Sequence, residues 1–388
     1  MDKLNHALGL LKQLKQAGYE AFIVGGAVRN TLLKQPLNDI DITTQATPEQ
    51  IKAVFPDSFE VNKALGTMSV VRESFSYELT TYRLEGAYDK HRRPQDVRFT
   101  ESVVHDLKRR DFTVNAMLMD EALNIVDPLD GQADLHHRKL KAIGDATVRF
   151  EEDALRLLRA FRFIAQYGFD LEEDTAQALR EKAPLIQKIA IERVQDEWFK
   201  ILEGPFVTKA LKAMQATHFD DAFYHLKPTI EAMLAWQVWP SKEGALALTQ
   251  PRASWHAQPF RLPNKTLKEI RYLAAMHPKV KADGWTPWHL FEAGPKVIRT
   301  VESMRQAEGL PPNTEDPIQA YEGLPIHQRN ALQLKGSQLK TLCPEVPKHH
   351  YQSVLDRLLD AVLNRTLDNT PEALQEAAMR VGKETLHE

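Results

Sequence analysis

Apolar positions at the start of the chain recur at helical spacing. Leu4, Leu8, Leu11 and Leu14 share a face, and Gly18 supplies a stop. The pattern then shortens. Glu20–Val24 reads as a strand running into Gly25-Gly26, and a helix is expected over Ala27–Lys34. Asp39–Thr43, Thr67–Arg72, Tyr77–Arg83 and Asn115–Met119, rich in Val, Leu, Thr and Tyr, read as further strands. Asp127-Pro128-Leu129-Asp130-Gly131 is a turn cluster that closes this region. After Gly144 strand-like alternation nearly disappears, and from Glu151 onward the chain reads as amphipathic helices. Pro205, Pro240, Pro263, Pro278, Pro287, Pro311 and Pro312 are expected at helix ends, because proline lacks an N–H and crowds the preceding turn. No internal repeat or low-complexity tract is present. The pattern predicts an α+β chain: a mixed sheet with helices to about residue 145, then an all-α remainder.

The 388 residues are too many for one ordinary domain and suit two to four. Apolar content of 43% and charged content of 27% are those of a soluble globular protein. No window approaches the run of about 18 apolar residues needed to span a bilayer, so no membrane partner is expected. Met1-Asp2-Lys3-Leu4-Asn5-His6 lacks the basic start and apolar core of a signal peptide. The single cysteine, Cys343, excludes an internal disulfide and a Cys-based zinc site, and points to a reducing cytoplasm. A net charge of −3, taken alone, weighs against a nucleic-acid binder. The charge is unevenly distributed, however, so local patterns carry the argument.

Asp39-Ile40-Asp41 is the sharpest chemical feature. On a strand, positions i and i+2 share a face roughly 6.6 Å apart, so two carboxylates converge while Ile40 points to the core. Such a pair suits divalent cations, and two Mg²⁺ ions about 3.5–4 Å apart can activate a hydroxyl and stabilise a leaving phosphate oxygen. Most isolated D-x-D pairs are merely solvated, so context matters. Upstream, Gly25-Gly26-Ala27-Val28-Arg29 sits between strand and helix, where backbone N–H groups and Arg29 can meet a triphosphate. Glu78 is the candidate third carboxylate, sharing a strand face with Thr80 and Tyr82. In Arg109-Arg110-Asp111-Phe112-Thr113-Val114-Asn115-Ala116 the arginines suit phosphate, and Asp111 or Asn115 can accept from a ribose hydroxyl. Glu151–Phe163 reads as one helix on which Asp153 and Arg156 lie a turn apart. A carboxylate beside a guanidinium matches the donor–acceptor edge shared by cytosine and adenine, and leaves polar groups unpaired against uracil or guanine. Arg159 and Arg162 follow at three-residue steps toward phosphates.

Together these strings resemble the class II tRNA nucleotidyltransferase and poly(A) polymerase family. Five motifs in family order carry the resemblance: Gly25–Arg29, Asp39–Asp41, Arg109–Ala116, Asp127–Gly131 and Glu152–Arg156. Beyond about residue 205 it rests on helical layout and length. The resemblance implies a polymerase-β-like head (1–145), a helical neck with the nucleotide-templating motif (146–205), a body (206–305) and a tRNA-binding tail (306–388). It implies that Asp39 and Asp41 hold two Mg²⁺ ions, with Glu78 as a third catalytic acid. Gly26, Arg29, Arg110 and Asp111 would contact the incoming nucleotide, Asp153 and Arg156 would template it, and Arg159 and Arg162 would support it. The implied reaction adds C, C and A to the tRNA 3′ end from CTP and ATP, releasing pyrophosphate, in a cytoplasmic monomer or homodimer. Two departures stand out: Asn30 replaces the aspartate usual after Arg29, and Lys34-Gln35-Pro36 occupies a stretch where a glycine is common.

Ala64-Leu65-Gly66-Thr67-Met68-Ser69 is more like CCA-adding enzymes than poly(A) polymerases. Glu85–Pro94 resembles the flexible loop tied to the switch from C to A addition. An enzyme adding only A, a poly(A) polymerase and a tRNA-binding protein with an inactive head are the alternatives. A phosphohydrolase built on His105-Asp106 is rejected for want of accompanying ligands. In the helical half Lys265, Lys268, Arg271, Lys279 and Lys281, interleaved with Tyr272 and Trp285, form the best basic tract for tRNA.

Overall fold

Helix α1 (Asp2–Gln16) buries Ala7, Leu10, Leu11 and Leu14 against the sheet that follows. It ends where Gly18 takes φ +89° and the Tyr19 N–H donates to the Leu14 carbonyl at 3.0 Å. The computed structural model describes residues 2–86, 88–89, 93–94, 97–223, 226–249 and 262–385. Five sheet strands lie between residues 21 and 81: β1 (Ala21–Val24), β2 (Asp41–Thr44), β3 (Phe59–Asn62), β4 (Thr67–Arg72) and β5 (Phe75–Thr81). Two more follow, β6 (Leu118–Met119) and β7 (Ile125–Val126), giving the order β7-β6-β1-β2-β5-β4-β3. All neighbours are antiparallel except β2 and β5, which run parallel with Asp41 opposite Glu78. The sheet is therefore mixed, as expected.

Three strands differ from expectation by two residues or more, each for a local reason. The strand after α2 (Gly26–Leu32) begins at Asp41, not Asp39, because β1 ends at Val24, the residue paired with Asp41, leaving Asp39 without a partner backbone. Ile40 is buried as predicted. The strand expected over Asn115–Met119 shrinks to β6, because Thr113–Asn115 forms a 3-10 turn in which Asn115 donates to the Asp111 side chain. Beyond β5, Tyr82 turns inward and its hydroxyl reaches Glu20 at 3.1 Å, so the face shared by Glu78 and Thr80 does not extend to it. Arg83–Glu85 then pairs separately with Val97–Phe99.

The helix expected over Glu151–Phe163 is two helices. α3 (Ala146–Glu152) starts under an Asp145 cap that accepts from the Thr147 and Val148 N–H groups. The chain breaks at Asp153 (φ −135°, ψ 100°), and α4 (Leu155–Tyr167) runs to Gly168. Asp153 Oδ1 accepts from the Leu155 N–H at 3.1 Å, holding the start of α4. α4 buries Leu157, Leu158, Phe161 and Ile164, and α5 (Ile191–Leu202) lays Val194, Trp198 and Ile201 across it. The corner after α5 is tight: a Cβ on Gly204 would stand 2.5 Å from the Ala165 carbonyl oxygen. Gly204→Ala is expected to destabilise this unit by about 1–3 kcal/mol through backbone overpacking, read as a lowered thermal midpoint.

One compact unit ends at Leu234 and a second begins at Ala235. Every described regular element of the second unit is a helix, in line with the expected all-α remainder. Its core gathers Leu290, Ile298, Leu339, Cys343, Leu358, Leu359, Val362 and Leu374. Cys343 is 1% exposed, its thiol faces the Ala378 carbonyl at 3.4 Å, and burial pushes its pKa up. Pro278 does not end a helix: it lies inside α6 (Asn264–Asp283). It sits on the exposed face, where water can satisfy the carbonyl it frees, while Leu273, Met276, His277 and Val280 hold the buried face. The five basic candidates all lie on α6 and are exposed. Lys265, Lys268, Arg271 and Lys279 share a stripe at helical spacing, whereas Lys281 turns aside to Glu308 at 2.8 Å.

Candidate active site

β1 delivers the chain into Gly25, whose φ of +75° and ψ of −129° only glycine adopts readily. That conformational demand falls on Gly25, while Gly26 opens α2. One turn on, Arg29 points back beneath the loop and is 5% exposed. It donates through Nη1 to Asn115 Oδ1, and through Nη2 to the Tyr167 hydroxyl (2.6 Å) and Asn30 Oδ1 (3.1 Å).

Asp41 opens β2 and stands in register with Glu78 on β5, so both carboxylates project from one sheet face. Asp41 keeps an exposed edge, but the protein around it partly desolvates its carboxyl and pushes it up; Arg110 opposes this, and the carboxylates of Glu78 and Asp39 add to it. Asp39, just ahead of the strand, has a 94% exposed side chain 3.8 Å from Lys3. Glu78 does not line the cleft that the other head and neck candidates share.

The arginines are anchored by an acid assigned no such role from sequence. Asp106 is fully buried; it accepts from Arg109 Nε (2.9 Å) and Nη2 (2.7 Å) and from Arg110 Nη2 (3.2 Å). Burial would raise its pKa, but the two arginines and the Arg83 N–H hold it below the ordinary carboxylate range. Asp111 anchors a second set of donors further along the chain. Its Oδ1 accepts from the Phe112 N–H (2.8 Å) and Asn115 Nδ2 (3.0 Å), and its Oδ2 accepts from Arg159 Nε (2.8 Å) and Nη2. Those four donors fill the carboxylate's capacity, so a ribose hydroxyl has to displace one of them. Against its burial, Arg159 and Asn115 keep this carboxyl strongly acidic.

Asp153 and Arg156, the pair expected to read the base, are arranged differently from expectation, because the chain breaks at Asp153. Arg156 donates to Glu152 (2.7 Å) and to the carbonyls of Arg149 (2.9 Å) and Arg109 (2.7 Å). Asp153 Oδ2 lies 3.6 Å from Arg193 on α5. Arg162 pairs with the buried Glu197 at 3.0 Å.

Gly26, Arg29, Asp39, Asp41, Arg110, Asp111, Asp153, Arg156, Arg159 and Arg162 all line one cleft of about 730 Å³. Nine cationic side chains and four carboxylates line it, which explains how a chain of net charge −3 can hold a polyanion. Sequence reasoning missed Phe163, Tyr167, Arg193 and Lys200, which also line it. The first two did leave a signal, an aromatic pair at i,i+4 following Arg159. Of the 85–94 loop, residues 87 and 90–92 lie outside the described residues; Tyr88–Asp89 pairs with Arg93–Pro94.

Among the described residues, no group of three or more His, Cys, Asp or Glu side chains is gathered to hold an ion. The donor set nonetheless fits a hard divalent cation. Mg²⁺ commonly takes one or two carboxylates and completes its shell from substrate phosphates and water. The mutual repulsion among Asp41, Glu78 and Asp39 is what such an ion relieves.

Residues 21–141 match the poly A polymerase head domain, and residues 239–378 match a tRNA nucleotidyltransferase domain 2. A CCA-adding enzyme of Geobacillus kaustophilus is 37% identical over 382 residues, covering 95% of each chain. The chain belongs to the CCA-adding enzyme family. It is a tRNA nucleotidyltransferase, in a family whose members generally use divalent metal ions. A CCA-adding enzyme of Listeria monocytogenes is 34% identical over 380 residues, covering 95% of this chain and 96% of its own. The Bacillus stearothermophilus CCA-adding enzyme, solved in complex with CTP, superposes with a TM-score of 0.85 at 33% identity, covering 98% of both chains. The Thermotoga maritima CCA-adding enzyme complexed with tRNA (TM-score 0.67, 19% identity, 98% and 96% covered) shows the fold alone. Among the described residues no helix is long and apolar enough to cross a membrane.

Proposed function

We propose that this CCA-adding enzyme adds C, C and A to the tRNA 3′ end from CTP and ATP without a nucleic-acid template. The observation that carries the reading is a single cleft that gathers Asp39 and Asp41, the arginines Arg29, Arg110, Arg159 and Arg162, and Asp153 with Arg156. In the reaction the tRNA 3′-hydroxyl oxygen bonds to the α-phosphorus, and the bond to the leaving pyrophosphate oxygen breaks. Asp39 and Asp41 would hold divalent cations, two Mg²⁺ in this reading, which supply charge for the hydroxyl and the leaving oxygens. Glu78 adds negative charge beside Asp41, while Gly26, Arg29 and Arg110 meet the phosphates.

Asp153 and Arg156 select cytosine and adenine. To do so Arg156 exchanges its carbonyl contacts for the base. Arg159 and Arg162 support the triphosphate, and Asp111 acts on the nucleotide by holding Arg159. In the proposed layout residues 1–145 are the head, 146–205 the neck, 206–305 the body and 306–388 the tail. The exposed stripe Lys265, Lys268, Arg271 and Lys279, with Lys281 at its flank, gives tRNA phosphates a landing surface. The site of action is the cytoplasm, where its substrates are.

The test is incorporation of each labelled NTP into tRNA transcripts ending before CCA, after C and after CC. Two C additions followed by one A, with no U or G, are expected. Long A tails on unrelated RNA would make the chain a poly(A) polymerase. Addition of A alone would make it an A-adding relative. No incorporation on any primer would leave a tRNA-binding protein with an inactive head.

A further inference from the structure

The packing around Arg29 exceeds what a phosphate contact requires. Its guanidinium carbon lies 4.3 Å from the centroid of the Tyr167 ring and 5.2 Å from that of Phe163. The Tyr167 hydroxyl touches both Arg29 Nη2 (2.6 Å) and Asn30 Oδ1 (3.3 Å), closing a triangle with the Arg29–Asn30 bond. Asn30 is in turn fixed by donating from Nδ2 to the Pro36 carbonyl at 3.1 Å. Tyr167 is itself held in a column of rings, stacked on Phe163 (6.1 Å) and Phe169 (5.6 Å).

All hydrogen-bond acceptors of Arg29 among the described residues are neutral: Asn115, Tyr167 and Asn30. Its Nε has no partner, although the residue is 5% exposed and lines the cleft. An aspartate at position 30 would orient Arg29 by charge and cancel much of that charge. Asn30 cannot hold a guanidinium in this way. An aromatic face and a phenol can, because they hold a cation without neutralising it.

We propose that Tyr167 is a positioning residue for the incoming nucleotide: with Asn30 it forms a neutral clamp that aims Arg29 at the triphosphate with its charge intact. The proposal rests on the nucleotidyl-transfer reading above. Residues 30 and 167 thereby become an interdependent pair, 137 positions apart in the chain.

Tyr167→Phe keeps the stack and removes the hydroxyl. With CTP and a transcript ending before CCA, its KM for CTP is expected to rise about tenfold, the loss of one hydrogen bond to a charged group. Its kcat should stay within about threefold of wild type, since binding rather than chemistry is affected. Adding Asn30→Asp to Tyr167→Phe should lower KM about threefold below that of Tyr167→Phe without restoring the wild-type value, because a carboxylate orients Arg29 without the phenol but cancels part of its charge. A merely structural Tyr167 would lower the thermal midpoint and gain nothing from Asn30→Asp. An unmoved KM in Tyr167→Phe, a raised KM that Asn30→Asp does not lower, or one that it returns fully to the wild-type value overturns the proposal while the wild type stays active. A wild type that incorporates no nucleotide sinks the nucleotidyl-transfer reading, and the proposal with it.

Discussion

Asp41→Asn is expected to slow nucleotide incorporation about a thousandfold or more, roughly 4 kcal/mol of barrier, while leaving the fold intact. The substitution keeps the size and place of the side chain at the start of β2 and removes the charge proposed to face the cations. The parallel pairing of Asp41 with Glu78 lets no other carboxylate take its place in register. The same residue gives the acid limb of activity a direction. Its pKa is raised in the folded protein by burial, then by Glu78 and Asp39. A carboxyl raised in this way contributes stability below its unfolded value of about 3.9, and that contribution fades as pH rises through the folded pKa. Metal binding runs against that trend, because a cation must displace the proton. Divalent-ion affinity should therefore fall with decreasing pH from a higher pH than an ordinary aspartate would give, and proton release should accompany binding. Titration calorimetry with Mn²⁺ in two buffers of different ionisation enthalpy measures both. Metal affinity without a low-pH decline would show that Asp41 is not a ligand.

Asp111→Ala should be the most damaging change to stability, about 2–4 kcal/mol, because it leaves the buried Asn115 and the Phe112 N–H without their acceptor and takes the partner from Arg159, whose side chain is one-third exposed in the cleft. For a unit of this size that is a fall of roughly 10 °C in the first unit's thermal midpoint, measured by scanning calorimetry. Here the pH sign is opposite to that of Asp41. Asp111 is held far below the usual carboxylate range, by Arg159 first and then Asn115, against its burial. Its contribution is complete above the unfolded value of about 3.9 and is lost as pH falls through the folded pKa, so it belongs to acid unfolding. Asp111→Asn, which keeps the Oδ1 acceptor and loses the charge, should fall between wild type and alanine. Equal midpoints for wild type and Asp111→Ala would show that the ion pair adds nothing to the fold.

Much of this was legible in the sequence, because the motifs are local. Thr67–Arg72 appears as a strand with the predicted bounds, and ten of the proposed site residues come together in one cleft. The errors have a common physical source. The sequence shows which residue types are near one another along the chain, but not which backbone they pair with. Asp39 looked like strand until β1 ended opposite Asp41. Asp153 looked helical because its own capping of Leu155 is invisible in a periodicity count. The anchoring role of Asp106 and the part of Tyr167 were not legible because their partners are set by the fold: Tyr167 meets Asn30 from 137 residues away. Pro278 escaped the expected helix end because exposure on α6 decides what proline does, and exposure was not in the pattern.

The solitary thiol of Cys343, sealed into the second unit with its pKa raised, has a practical consequence. To a thiol-reactive dye the folded protein should behave as if it had no cysteine, so a cysteine introduced on any exposed surface can be labelled selectively without engineering the natural one away. Under conditions where reagent attack outpaces reclosing, reaction at Cys343 becomes a clock for transient opening of the helices around it. One native atom thus reports how often the second unit breathes, and whether an added tRNA slows it.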